Sequence, residues 1–168
     1  PDYTTPEPIC RAAIESIERG DTHYTSNYGL LELREKLAAH LFRLYGVRYD
    51  PRTEIIITSG SSEAFDIALR ALLDPGDEVL CADPCYVAYL PATLMAGGNF
   101  VPVPTFACND FRLLAEDVEA AITPRTKAIL LGYPSNPTGA TMGREDLLAI
   151  GEVARKHDLA VISDELYD

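Results

Sequence analysis

Four short segments of the sequence combine polar, acidic and aromatic side chains that could bind a ligand. They are Ser59-Gly60-Ser61-Ser62, Asp83-Pro84-Cys85-Tyr86, YPSNPTG at 133–139 and Asp164-Glu165-Leu166-Tyr167. Each follows a short apolar run that predicts a β-strand. Because ligands of open α/β sheets bind beyond the carboxyl ends of the strands, we expect all four segments to meet at one sheet edge.

The serine-rich segment is predicted to open a helix directly after a strand. Backbone N–H groups, the hydroxyls of Ser61 and Ser62, and the helix dipole could together hold a phosphate. Simple N-capping by serine explains the same residues equally well. Neither a Walker loop nor a G-x-G-x-x-G fingerprint is present, so the usual nucleotide-binding signatures are missing.

Asp164 follows a very apolar run, LAVIS at 159–163. A carboxylate at the end of a buried strand is costly unless a cationic group lies beside it. Asp164 is therefore a candidate for binding a positively charged part of a ligand. A helix cap or a solvent-exposed turn is the alternative that this residue alone leaves open.

Hydrophobic spacing places these segments in an alternating pattern of strands and helices. Helices are predicted at 8–19, 30–45, 62–73, 86–96, 114–121 and 144–157, and strands at 54–58, 78–82, 99–103, 128–132 and 159–163. Prolines in and after the strand at 99–103 favour an edge position for it. The pattern predicts an α/β fold with three α/β/α layers and a mostly parallel sheet covered on both faces.

Composition narrows the possible partners. The chain has 168 residues, with 26 Asp and Glu against 14 Lys and Arg and a net charge of −12, which speaks against nucleic acid or an anionic membrane. Since there is no membrane-spanning apolar run and no signal-peptide pattern, we expect a cytoplasmic protein. Free thiols and no metal site are expected from the spacing of the four cysteines, which are Cys10, Cys81, Cys85 and Cys108.

Taken together, these segments resemble the class I/II aminotransferases, enzymes of fold type I that depend on pyridoxal 5′-phosphate (PLP). The resemblance covers essentially the whole chain. It is carried by PDYTTP at 1–6, HYTSNYGLLELREKLA at 23–38, ITSGSSEAF at 57–65, DPGDEVL at 74–80, DPCYVAY at 83–89, YPSNPTGA at 133–140 and ISDELYD at 162–168. It implies that residues 1–168 are the first part of the large PLP-binding domain, with 1–29 as an N-terminal arm and interface loop.

The resemblance implies three catalytic residues around the PLP ring. Asp164 would pair with the protonated pyridine nitrogen, which makes the ring a better electron sink. Asn136 and Tyr167 would donate hydrogen bonds to the 3-oxygen of the ring. It also implies cis peptide bonds before Pro84 and Pro137.

The remaining cofactor contacts implied by the resemblance involve the ring face and the phosphate. Tyr86 would stack on the pyridine face. Gly60, Ser61 and Ser62 would bind the 5′-phosphate. Tyr24 resembles a tyrosine that reaches the phosphate of a neighbouring subunit, which implies a homodimer with a shared active site.

The family's Schiff-base lysine and the arginine that grips the substrate carboxylate are expected beyond residue 168, together with the small domain. None of Lys36, Lys127 or Lys156 is placed for the lysine's task. We therefore expect this segment to be inactive alone. The implied parent reaction is transfer of an amino group between an amino acid and a 2-oxo acid.

Three other functions remain open at this point. A C–S β-lyase or another PLP enzyme would use the same cofactor residues, because the cofactor supplies the chemistry. The sensor domain of a transcription regulator would carry a DNA-binding domain upstream. A plain nucleotide-binding domain would leave NPTG and DELY unexplained.

Several conspicuous side chains are assigned structural roles. Tyr89 and Tyr133 are predicted to pack in the core rather than to act on a ligand. Arg34 and Glu35 are predicted to lie on a solvated helix face.

Overall fold

The computed structural model describes residues 3–167, which form two compact units divided between Thr58 and Ser59. The first unit holds two helices and the second holds a four-stranded sheet with four helices. In chain order the elements are α1 (Glu7–Glu18), α2 (Leu31–Tyr45), α3 (Ser61–Leu72), β1 (Glu78–Asp83), α4 (Tyr89–Met95), β2 (Asn99–Pro104), a 3-10 turn (Ala107–Asn109), α5 (Ala115–Ala121), β3 (Thr126–Gly132), α6 (Arg144–Lys156) and β4 (Ala160–Asp164). Within the described range, no helix is both long and apolar enough to cross a membrane.

Both helices of the first unit begin and end within one residue of the predicted bounds. α1 starts behind Pro6 and carries Pro8 in its first turn, where a missing N–H costs nothing. α2 ends at Gly46, whose φ of 70° is the left-handed conformation that glycine adopts readily. Residue 29 must also be a glycine, because a Cβ at this position would lie 2.5 Å from the Cβ of Ile57.

The prediction of a buried strand at 54–58 is wrong. These residues form no strand in the described part of the chain, and Ile56 is 46% exposed. The amide of Ile57 donates to the carbonyl of Tyr28 at 3.1 Å, which is a loop contact and not a ladder. β-branched residues favour a pleated surface only where a neighbouring strand supplies one, and the pattern cannot show that neighbour.

The prediction of a solvated Arg34 is also wrong. Its side chain is 6% exposed, and its Nη1 donates to the carbonyl of Pro51 at 2.6 Å. The guanidinium lies 5.8 Å from the ring centroid of Tyr28. Helical spacing reveals which side of α2 is polar, but it cannot show that the loop around Pro51 folds back over that side.

The sheet of the second unit is wholly parallel, with strand order β2-β1-β3-β4. This confirms the predicted parallel sheet. β2 lies at an edge, as its prolines indicate, and Pro102 and Pro104 are opposite Cys81 and Asp83 of β1.

Alternating side chains of the central strands build two separate cores. Leu80 and Ile129 point to the face covered by α5 and α6, where they pack with Val118, Ile150 and Val153. The residues one step earlier, Val79 and Ala128, point to the opposite face and pack with Phe65, Leu69 and Ala92 of α3 and α4. A strand side-chain period of two thus yields the predicted three-layer α/β/α arrangement.

The chain differs from the prediction after β1, where helix α4 begins at Tyr89 and not at residue 86. Residues 84–88 form a loop that opens with the cis peptide bond between Asp83 and Pro84. The bond between Asn136 and Pro137 is also cis, as expected, and so is the bond between Tyr133 and Pro134, which was not predicted.

Candidate functional site

A cavity of about 240 Å³ lies at the carboxyl ends of β3 and β4 in the second unit. Gly132 and Asp164 end these two strands, and Ser61 begins α3. The loops after β1 and β3 complete the wall. Its lining consists of Ser61, Tyr86, Tyr89, Gly132, Pro134, Asn136, Asp164, Leu166 and Tyr167.

The cavity unites five of the eight residues that the sequence singled out. These are Ser61, Tyr86, Asn136, Asp164 and Tyr167. Gly60 and Ser62 flank Ser61 in the chain but do not line the cavity, and Ser62 is exposed. Tyr24 lies in the first unit with its side chain fully exposed, so its role remains a prediction.

Two uncharged donors fix the carboxylate of Asp164 at the cavity. The hydroxyl of Tyr89 donates to Oδ2 at 2.7 Å, and the amide of Leu166 donates to Oδ1 at 3.2 Å. A carboxylate can accept about four hydrogen bonds, so Asp164 keeps acceptor capacity for a ligand. Neither donor is charged, so the cationic partner predicted for this half-buried carboxylate would have to come from a bound ligand.

Tyr89 is the main residue that the sequence analysis missed. It packs as predicted, with its ring edge-on to Phe65 at 5.1 Å and to Tyr86 at 5.6 Å between centroids. Yet its hydroxyl also reaches Asp164 from 75 residues away in the chain. Burial, followed by the neighbouring Asp164 carboxylate, raises the pKa of the Tyr89 hydroxyl far above its usual range. The hydroxyl therefore stays protonated and acts as a donor.

Gly132 makes room for that hydroxyl. A Cβ at this position would lie 2.4 Å from the Tyr89 oxygen, closer than any two such atoms can approach. The apolar run AILLG predicted a strand end at Gly132 but gave no reason for glycine there. The reason is the tyrosine ring packed against the bare Cα.

The start of α3 supplies the candidate anion site. Gly60 occupies the N-cap with a φ of 83°, and no side chain caps the helix. Serine capping, the alternative that the sequence left open, is therefore not what the structure contains, and the phosphate site stays a prediction. Ser61 is the first helical residue, where backbone N–H groups and the helix dipole favour negative charge. Glu63 folds back and accepts a hydrogen bond from the amide of Ser59.

Asn136 is presented to the cavity by a tight turn. The amide of Ser135 donates to the carbonyl of Ala140 at 2.8 Å, and the amide of Gly139 donates back to the carbonyl of Ser135 at 2.7 Å. Gly139 has a φ of 71°, which glycine tolerates without strain. Ser135 is buried, so the turn is anchored while Asn136 remains exposed.

Two further predictions from the sequence are confirmed. All four cysteines are free thiols. Within the pair Cys81 and Cys85, the contact of the two thiols raises the pKa of Cys81 and lowers that of Cys85. Tyr133 is a packing residue: its hydroxyl donates to the carbonyl of Phe111 at 3.0 Å, and burial raises its pKa to about 12.

Comparison with known proteins gives a consistent result. The model of the family described as aminotransferase class I and II matches residues 1–168. A putative aminotransferase, YugH, of Bacillus subtilis is 46% identical over 99% of this chain and 43% of its own length. An aspartate aminotransferase of Pyrococcus abyssi is 43% identical over 100% of this chain and 43% of its own.

A solved structure shows the same backbone. The aromatic aminotransferase from Pyrococcus horikoshii superposes with a TM-score of 0.96 at 44% identity, covering 98% of this chain and 44% of that one. This chain thus spans less than half the length of the relatives it matches. The match of the family model over all 168 residues shows that the chain belongs to the class I and II aminotransferases.

Proposed function

We propose that the cavity of the second unit binds PLP, and that the protein containing these residues transfers an amino group between an amino acid and a 2-oxo acid. One observation carries the proposal. A carboxylate, an amide, three aromatic rings and a serine at a helix start line a single cavity. Family membership supports it, because the family resemblance implies PLP as the cofactor.

The chemistry of the lining side chains fits PLP. Asp164 offers a carboxylate with unused acceptor capacity to a protonated ring nitrogen. Asn136 and Tyr167 offer donors for the ring's 3-oxygen. Tyr86 offers an aromatic face for stacking. The phosphate would bind at Ser61, with Gly60 and Ser62 beside it, because the start of α3 presents backbone N–H groups.

Each of these residues would bind or orient, and Asp164 would also hold a proton at the ring nitrogen. Bound PLP supplies the electron sink that lets an amino acid lose its α-proton and pass on its amino group. Asp164 would keep the ring nitrogen positively charged, which strengthens that sink. Asn136 and Tyr167 would stabilise negative charge on the 3-oxygen.

The wider assembly and the location are part of the same proposal. Tyr24 would complete the phosphate site of a second copy, so the active protein would be a homodimer. Four free thiols are typical of a reducing compartment, which supports a cytoplasmic location. Two relatives of similar identity are named for different amino acids, aspartate and an aromatic amino acid, so the proposed substrate is the class and no single member.

The test uses the full-length protein. We expect PLP to bind with a visible absorption band and amino groups to pass from amino acids to 2-oxoglutarate. Release of pyruvate and ammonia without transfer would assign the lyase alternative instead. Absence of any PLP binding would reject the proposal for the cavity itself.

A further inference from the structure

We infer that Tyr89 is a positioning residue, whose hydroxyl, seated against the bare Cα of Gly132, fixes the orientation in which Asp164 meets its ligand. The inference rests on the proposed function, since it concerns how Asp164 is presented to PLP. It assigns separate tasks to two residues, Tyr89 and Gly132, that otherwise look like packing around the cavity.

The first support is the hydrogen-bond geometry at Asp164. Its two oxygens are held by donors from different directions: the Tyr89 hydroxyl reaches Oδ2 from α4, and the Leu166 amide reaches Oδ1 from the chain after β4. The amide belongs to the same local turn as Asp164 and would move with it. Tyr89 instead ties the carboxylate to a helix of the rigid core.

The second support is how firmly Tyr89 itself is held. Its side chain is 3% exposed, and its ring packs edge-on against Phe65 and Tyr86. Its backbone carbonyl accepts a hydrogen bond from the buried hydroxyl of Thr93 at 2.9 Å. Because the ring is packed on several sides, the position of its hydroxyl is fixed, and that hydroxyl restrains the orientation of the Asp164 carboxylate.

The third support is the space kept clear by Gly132. An added Cβ would lie 2.4 Å from the Tyr89 oxygen and 3.2 Å from its Cε2 and Cζ atoms. Gly132 is not among the glycines with positive φ, so its backbone would accept alanine without strain. What excludes a side chain there is the tyrosine hydroxyl and ring edge.

Tyr133 provides a matched comparison in the same unit. Its hydroxyl also donates one hydrogen bond, but Tyr133 is less buried than Tyr89, and its acceptor is the backbone carbonyl of Phe111, outside the cavity lining. Removing either hydroxyl leaves the aromatic packing in place. Only removal at Tyr89 should change how Asp164 meets a ligand.

The first experiment measures PLP binding by the full-length protein carrying Tyr89→Phe or Tyr133→Phe. We expect Tyr89→Phe to weaken PLP affinity roughly tenfold and to shift the visible absorption band of the bound cofactor, because hydrogen bonds to charged groups are among the stronger ones. Tyr133→Phe should leave both the affinity and the band unchanged. Equal affinity and an identical spectrum in Tyr89→Phe and the natural protein would overturn the inference.

The second experiment tests whether Gly132 acts through that hydroxyl. Gly132→Ala should weaken PLP affinity about tenfold by pushing the Tyr89 oxygen away from Asp164. In the Tyr89→Phe background the same alanine should cost less than about threefold, because its closest contact is gone. Gly151→Ala, in open space on α6, is the control and should change nothing at the cavity.

The outcomes separate this inference from the proposed function. A natural protein that binds no PLP would defeat the proposed function. A natural protein that binds PLP, with a Gly132→Ala effect that persists undiminished in the Tyr89→Phe background, would defeat only the inference, since the alanine would then be touching the ligand directly.

Discussion

Two carboxylates, those of Glu78 and Asp164, lie at opposite ends of the same sheet and differ in burial and in the number of hydrogen bonds that they accept. Glu78 begins β1, is 6% exposed, and accepts hydrogen bonds from Thr123, Arg125 and Thr126. The shortest of these, from the Thr123 hydroxyl, measures 2.5 Å. Asp164 ends β4, is half-buried, and accepts from one hydroxyl and one amide beside a cavity.

The contrast teaches how a structural carboxylate differs from one that is available to a ligand. Four donor groups surround Glu78, which matches the acceptor capacity of a carboxylate and leaves no room for a ligand. Asp164 is oriented but not saturated. Loss of the Glu78 carboxylate should therefore lower the stability of the fold, and loss of the Asp164 carboxylate should weaken ligand binding and turnover.

The sharpest way to break this contrast is Asp164→Ala in the full-length protein. We expect turnover to fall roughly 10²–10³-fold, because the proposed charge beside the ring nitrogen is lost, while the melting temperature stays near that of the natural protein. Glu165→Ala, at an exposed neighbouring carboxylate, is the control. Near-normal turnover in Asp164→Ala would contradict the contrast, because Asp164 would then be a structural carboxylate like Glu78.

A second change extends the contrast to the anion site. Ser61→Asp should weaken PLP affinity by about 10- to 100-fold through repulsion of the phosphate, although an acidic residue at a helix start should slightly stabilise the fold. Titration with PLP and thermal unfolding measure the two effects separately. Ser61→Ala, which removes only the hydroxyl, should have a smaller effect on affinity. Unchanged PLP affinity in Ser61→Asp would show that the phosphate does not bind at the start of α3.

At the other end of the sheet, Glu78→Gln should lower the free energy of unfolding by about 1–2 kcal/mol, because its hydroxyl and guanidinium donors lose a charged acceptor. PLP affinity should not change. Urea unfolding measures the first quantity, and Glu35→Gln on the exposed side of α2 is the control. A Glu78→Gln protein with normal stability but impaired binding would reverse the assignment.

The smallest effect concerns acid. The Thr123 hydroxyl, and then Arg125, hold the pKa of Glu78 below its usual 4.5 in the folded state. A depressed folded pKa means that the stabilisation is present above the unfolded pKa and is lost as the pH falls through the folded pKa. The stability gap between the natural protein and Glu78→Gln should therefore shrink as the pH falls from about 5 to 3. A gap that stays constant over that range would exclude the ionised carboxylate as its source.

The sequence was sufficient to predict the α/β fold, because its evidence is local. The continuous apolar runs in β1 and β3 and the helical spacing of apolar residues in α3 and α6 can each be recognised within a short stretch of chain. The failure at 54–58 came from the opposite situation. A strand is a property of two segments, and one apolar run says nothing about whether a partner lies beside it.

The candidate site could be predicted in part for the same reason. Asn136 lies in the loop after β3 and Asp164 ends β4, so strand ends located them, whereas Ser61 was located by the start of helix α3 and not by the strand predicted before it. Tyr89 and Gly132 could not be found in this way, because their task appears only when α4 and β3 meet at the end of β4. Arg34 was misjudged likewise, since the loop that buries it is 17 residues distant.

The prolines of β2 have a consequence beyond marking an edge. Asn99 and Thr105 point their amides toward β1, bonding to Asp77 and Asp83, so the amide positions at 100, 102 and 104 face outward. Two of these three positions are prolines, which have no hydrogen to donate. An incoming strand from another molecule would find one donor where it needs three. The edge thus resists intermolecular pairing and aggregation through its own covalent chemistry.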